Sequence, residues 1–123
     1  MNLLCKLLLA LLLLGYFPAR AEEVQASVGL ICDTKEQVIA FNAAWNGSNE
    51  QALTVVNGST DPPPCGILHV AYLKGETVGQ VQNGGKTYDI VQITVVAINL
   101  GMGWIQGDPL IQFSLFLNEE REA

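Results

Sequence analysis

Positive charge is scarce in this chain: six lysines and arginines stand against twelve aspartates and glutamates, a net charge of −6. That balance excludes the electrostatic footprint a nucleic-acid backbone demands, and anionic membrane surfaces repel such a chain. Histidine is nearly absent, with His69 alone, so a multi-histidine metal site is excluded. Cysteine occurs three times and never as a closely spaced pair, and no Asp-x-Asp-x-Asp-Gly calcium loop is present. None of Ser27, Ser48, Ser59 and Ser114 sits in a nucleophile-elbow context. No glycine cluster lies between a strand and a helix, so there is no phosphate cradle. Internal repeats and low-complexity tracts are missing as well. The expectation is a protein without cofactor, metal or catalytic site.

What is present begins with the N-terminus. Met1 to Lys6 is a short basic start, Leu7 to Phe17 an almost unbroken apolar run, and Pro18-Ala19-Arg20-Ala21 a small-x-small pattern. This is the layout of a cleavable export signal over residues 1–21, and its apolar core is too short for a membrane span of about 20 residues. Cleavage would leave one domain over 22–118 and an acidic tail over 119–123. It would also remove Lys6 and Arg20, leaving four basic residues against twelve acidic ones, a net charge of −8. Solubility is the simplest use of those acids, and a basic protein partner the sharper one. Stable membrane insertion after cleavage is not expected. Cys5 leaves with the signal, so Cys32 and Cys65 remain as a pair in an oxidising compartment, where one disulfide is expected. It would close a loop of about 34 residues, worth roughly 3.5–4 kcal/mol in the chain-entropy picture.

The mature chain divides into a helical half and a stranded half. Glu22 to Ile31 alternates, with Val24, Ala26, Val28 and Leu30 on one side, and predicts a strand. Asp33 with Glu36, or Thr34 with Gln37, can cap a helix running to about Trp45, whose core stripe is Val38, Phe41 and Trp45 widened by Ile39, Ala40, Ala43 and Ala44. Ser48 with Gln51 starts a second helix that carries Ala52, Leu53, Val55 and Val56 and stops at Asn57-Gly58. Three consecutive prolines keep 59–64 a rigid loop. Strands are then predicted over Ile67–Leu73, Thr77–Gln82, Lys86–Ile98 and Leu110–Leu117, with turns at Lys74-Gly75-Glu76, Asn83-Gly84-Gly85 and Asn99–Gly103. Lys86–Ile98 is long and apolar on both faces, which predicts a bend, a bulge or a covered outer face. The fold expected is α+β: an N-terminal strand and a two-helix hairpin packed on an antiparallel β-meander able to curl into a small half-barrel, with one disulfide.

Few side chains invite chemistry. A Cys65–His69 nucleophile pair is opposed by geometry, because four residues of strand separate the two by about 13 Å. Asp61, Glu76, Asp89 and Asp108 lie near turns and are ordinary solvated acids unless the fold gathers them. Gly101-Met102-Gly103-Trp104 can form a mobile lip with an aromatic anchor, as in small binding modules, or a plain hairpin turn whose tryptophan packs on the sheet. A pocket between helices and sheet would be lined by Phe41, Trp45 and Tyr72. Asn46-Gly47-Ser48 and Asn57-Gly58-Ser59 match the N-glycosylation pattern and read equally well as helix stops.

Ile31-Cys32-Asp33-Thr34, Glu36-Gln37, Val56-Asn57, Cys65-Gly66, Val70-Ala71-Tyr72 and Tyr88-Asp89-Ile90-Val91 together resemble small exported single-disulfide proteins of Gram-negative bacteria, alphaproteobacteria in particular. The resemblance spans most of the mature chain. It implies a periplasmic or secreted location, a Cys32–Cys65 pair and a bacterial host in which both sequons are idle; it transfers no activity and no catalytic residue. The functional expectation is an exported accessory protein that binds another protein, for instance an inhibitor of a basic partner. The alternative is a small-ligand module, and a small hydrolase lacks its nucleophile–base pair.

Overall fold

The computed structural model describes residues 23–118; the export signal expected over 1–21 and the acidic tail expected over 119–123 lie outside them. Six elements follow in order: β1 (Val24–Cys32), α1 (Lys35–Ala44), α2 (Asn49–Asn57), β2 (Cys65–Asn83), β3 (Lys86–Asn99) and β4 (Trp104–Leu117). All strand pairs are antiparallel. The α+β architecture with one Cys32–Cys65 disulfide is therefore the observed one. The meander curls until Cys32 of β1 pairs with Phe113 of β4, and the ring β1-β2-β3-β4 closes.

Helix starts follow local chemistry. Of the two possible caps for α1, Thr34 is used: its hydroxyl accepts from the Gln37 N–H at 3.2 Å, and the Gln37 side chain accepts from the Thr34 N–H at 2.9 Å. Two amides that the helix cannot satisfy are thus paired. In α2 the Ser48 hydroxyl accepts from the Gln51 N–H. The helix pair lies between Cys32 and Cys65, which are direct partners across β1 and β2 with Cα atoms 4.1 Å apart. Asn57 at the end of α2 reinforces this base, accepting from the Cys65 N–H and donating to the Cys65 carbonyl, both at 2.9 Å.

Packing divides into two clusters, one on each face of the sheet. Val38, Phe41 and Ala52 of the helices bury against Leu30, the disulfide and Ile90 on the outer face. Ile31, Val70, Tyr72, Val91, Ile93 and Val95 bury against one another with no helix among them, which places them inside the curl. Each fully buried aliphatic side chain is worth about 1.5–3 kcal/mol. The double-sided apolar pattern of Lys86–Ile98 is explained: Ile90 serves the helix-facing cluster, Val91 and Ile93 the interior one, and β3 is covered on both sides. Ser114, buried in this wall, donates its hydroxyl to the Leu30 carbonyl at 2.6 Å and tightens the β1–β4 closure.

Several local expectations are corrected. Lys74-Gly75-Glu76 is not a turn; β2 runs unbroken through it and bends by register shifts between Lys74 and Thr77 and between Thr77 and Gly79. The final strand starts at Trp104 rather than Leu110, with Gly107-Asp108-Pro109 accommodated where the β3–β4 register slips after Val95. Pro109 is tolerated there because it has no partner in either the β3–β4 or the β1–β4 register, so its missing N–H breaks no ladder. The alternation of β1 does not mark a buried side in its first half, where residues from Val24 to Val28 are exposed on both faces. Ile39, Trp45 and Val55, read as core-facing, are exposed, because the helix stripe that meets the sheet is narrower than the apolar pattern. No helix among the described residues is long and apolar enough to cross a membrane.

Candidate functional site

The helices cover only one end of the sheet, and the other end is bare. There the β3–β4 hairpin turns through Leu100-Gly101-Met102-Gly103, with Gly101 and Gly103 at φ of 95° and 115°, a region side-chain-bearing residues avoid. The Asn99 side chain accepts from the Gly101 N–H at 2.8 Å and holds the turn in shape. Met102 at its tip is 91% exposed. Trp104, the first residue of β4, is 46% exposed and stands edge-on to His69 of β2, with ring centroids 4.7 Å apart. Trp104 thus packs against the sheet through His69 while remaining close to half exposed.

The same end gathers further apolar side chains that the sequence pattern did not single out. Val24 and Val28 of β1, Leu100 before the turn, and Ile105, Leu110 and Ile111 of β4 are all more than half exposed. A shallow groove beside Trp104 runs over Val24, Ala26, Ala71, Val96, Ala97 and Gln106. Residues from Trp104 to Leu110 leave one edge of β4 unpaired. The signal for this surface was the long run of β-prone residues after Gly103, which reads as core until closure fails to reach it.

The proposed pocket of Phe41, Trp45 and Tyr72 is assembled differently. Phe41 and Trp45 do meet at a pocket of about 180 Å³ in the seam between the helix pair and the β2–β3 hairpin. The aromatic ring that joins them is Tyr88 of β3, with Leu115 and three asparagines, Asn42, Asn49 and Asn83. Tyr72 is buried in the interior cluster on the opposite face, its hydroxyl donating to the Gln25 side chain at 3.2 Å and its ring 6.0 Å from Phe116. Simple alternation accounts for this: Tyr72 shares a face of β2 with Leu68 and Val70, opposite to the face on which Cys65 joins the helices. Asn42 carried a readable sign of this pocket, being an indifferent helix former placed inside a helix.

Elsewhere the chemistry is quiet. The Cys65 sulfur is bonded to Cys32, so no thiolate stands near His69. Among the described residues no three histidine, cysteine or acidic side chains converge on a point. Asp89 accepts from Gln80 at 2.9 Å and from Asn118 at 3.1 Å, a structural use for an acid near a turn. Compared with known proteins, the chain shows no significant match to a family model, to a curated sequence or to a solved structure.

Proposed function

We propose that the protein acts outside the cytoplasm as a binding module, holding another protein against the bare end of its sheet with Trp104 and the Gly101–Gly103 turn at the centre of the contact. One observation carries this reading: of the thirteen large apolar side chains exposed among the described residues, eight lie at this end (Val24, Val28, Leu100, Met102, Trp104, Ile105, Leu110 and Ile111). Exposed apolar groups scattered singly need no explanation, but gathered ones mark contact surfaces. A tryptophan braced on one side and open on the other loses little freedom on binding, which is why such residues anchor interfaces. The acidic balance of the chain favours a partner with a basic rim, whose approach it would accelerate. Inhibition of a basic extracellular enzyme is one form this takes. The export-signal pattern and the disulfide support the location.

The test is capture from periplasmic or extracellular extract on the oxidised protein lacking residues 1–21, in parallel with a Met102→Ser/Trp104→Ser variant of unchanged thermal stability. The expected result is one basic protein retained at low salt by the parent, lost at high salt and lost by the variant. Equal retention by parent and variant, or no retained protein, overturns the reading.

A further inference from the structure

The pocket at the helix–hairpin seam belongs to the other end of the molecule, and its lining points to a ligand of different chemistry. Its walls are three aromatic rings, Phe41, Trp45 and Tyr88, and no charged side chain contributes to it. Between the rings stand asparagines whose orientation is dictated by their partners. The indole N–H of Trp45 can only donate, so the atom it meets on Asn49 at 3.0 Å is Oδ1. That leaves the Asn49 Nδ2 as a donor with no protein acceptor among the described residues. The Asn42 backbone carbonyl can only accept, so Asn83 presents its Nδ2 there at 3.2 Å, and its Oδ1 remains an acceptor without a protein donor. Asn42 in turn donates its own Nδ2 to the Gln82 carbonyl at 3.2 Å, clamping the helix to the hairpin.

The residues that line the pocket therefore offer one oriented donor and one oriented acceptor beside three aromatic rings. A phosphate or carboxylate finds no counter-charge here, and a hydrocarbon leaves the amides unpaired. The volume of about 180 Å³ is below the roughly 300–1,000 Å³ of sites for larger ligands. We propose that this is a binding site for a single uncharged sugar ring. One C–H face of the ring lies on Trp45, and its hydroxyls accept from Asn49 Nδ2 and donate to Asn83 Oδ1. The pinning of Trp45 by Asn49 and of Asn83 by Asn42 means the site is organised before the ligand arrives, which lowers the entropic cost of binding.

The experiment is a titration of the oxidised, ¹⁵N-labelled protein followed by NMR, reading the Trp45 indole N–H and the Asn49 and Asn83 side-chain amides. The probes are glucose, galactose, mannose and N-acetylglucosamine, with glucuronate as the charged comparison and cyclohexanol as the apolar one. At least one neutral sugar is expected to shift these three groups saturably, with a Kd of about 1 mM. Glucuronate and cyclohexanol are expected to bind more weakly. Trp45→Ala removes the stacking face and should abolish saturation. Asn49→Asp keeps an oxygen for the Trp45 N–H and exchanges the free donor for an anionic acceptor, reversing the hydrogen bond asked of the sugar; it should weaken the best sugar by about fivefold or more while the Trp45 indole resonance stays in place. Both positions are exposed, so both variants are expected to fold. Four outcomes overturn the proposal: no saturable shift with any of the four sugars at about 50 mM, tighter binding of glucuronate or cyclohexanol than of the best sugar, undiminished binding by Asn49→Asp, or undiminished binding by Trp45→Ala.

Discussion

Replacing Gly75 by alanine tests whether the bend of β2 is set by space rather than by backbone conformation. Gly75 is not among the glycines with positive φ, so an alanine there meets no torsional objection. The objection is steric. A Cβ at Gly75 would stand 2.5 Å from the backbone carbonyl oxygen of Gln92 and 3.4 Å from its carbon. Carbon–oxygen contacts across strands ordinarily settle near 3.3–3.6 Å, so β2 and β3 must separate by most of an ångström. They are not free to do so, because Lys74 pairs with Ile93 and Thr77 with Val91, and both partners are buried in the interior cluster. Overpacking of this kind costs about 1–3 kcal/mol, and the stiffer unfolded chain returns about 0.4–1 kcal/mol. The expected net loss is about 1–2 kcal/mol, a fall in Tm on the order of 5–15 °C for a domain of this size. Gly29→Ala is the matched comparison: it lies in a strand, its φ is not positive, and a Cβ there meets nothing within 4 Å. It should be neutral or stabilising by about 0.4–1 kcal/mol. Urea unfolding of the three oxidised proteins by far-ultraviolet circular dichroism decides the matter. A Gly75→Ala protein as stable as the parent, or a Gly29→Ala protein that loses as much, refutes the reasoning.

Three further outcomes are expected. Cys32→Ala with Cys65→Ala releases a loop with a sequence separation of 33 and should lower stability by about 3–5 kcal/mol; a loss under about 1 kcal/mol by urea unfolding would show that the reduced unfolded chain is already constrained. Asn57→Ala removes both bonds to Cys65 and should cost about 1–3 kcal/mol, whereas Asn57→Asp keeps the acceptor for the Cys65 N–H and should cost less; equal losses on thermal unfolding would contradict the two-bond account. Ser114→Ala leaves the Leu30 carbonyl without its hydroxyl donor and should cost about 1–2 kcal/mol, with faster amide exchange around Cys32 and Phe113, where the ring closes; unchanged exchange there would dissociate Ser114 from closure.

Sites were less legible than elements. The Met102–Trp104 tip was readable because two glycines flank an exposed methionine, a pattern that only a turn accommodates. The seam pocket was half readable: Phe41 and Trp45 share a helix face by spacing alone, but their third aromatic neighbour depends on which strand residues the helices come to rest on. Tyr88, Asn49 and Asn83 were invisible as a group for the same reason, since each comes from a different element.

The sequence by itself determined the helix cap at Ser48, a cap for the first helix at Asp33 or Thr34, the Gly84-Gly85 hairpin, the pairing of Cys32 with Cys65 and the order of helices before strands. These depend on residues within a few positions of one another, or on there being a single partner to choose. Tertiary structure alone decided that Gly75 marks a bulge and not a turn, that the sheet closes at Cys32 and Phe113, and that closure stops short of Trp104–Leu110. Those outcomes follow from strand register and curvature, which sum small steric preferences over four strands at once. They leave one end of the sheet covered by helices and the other end exposing Trp104.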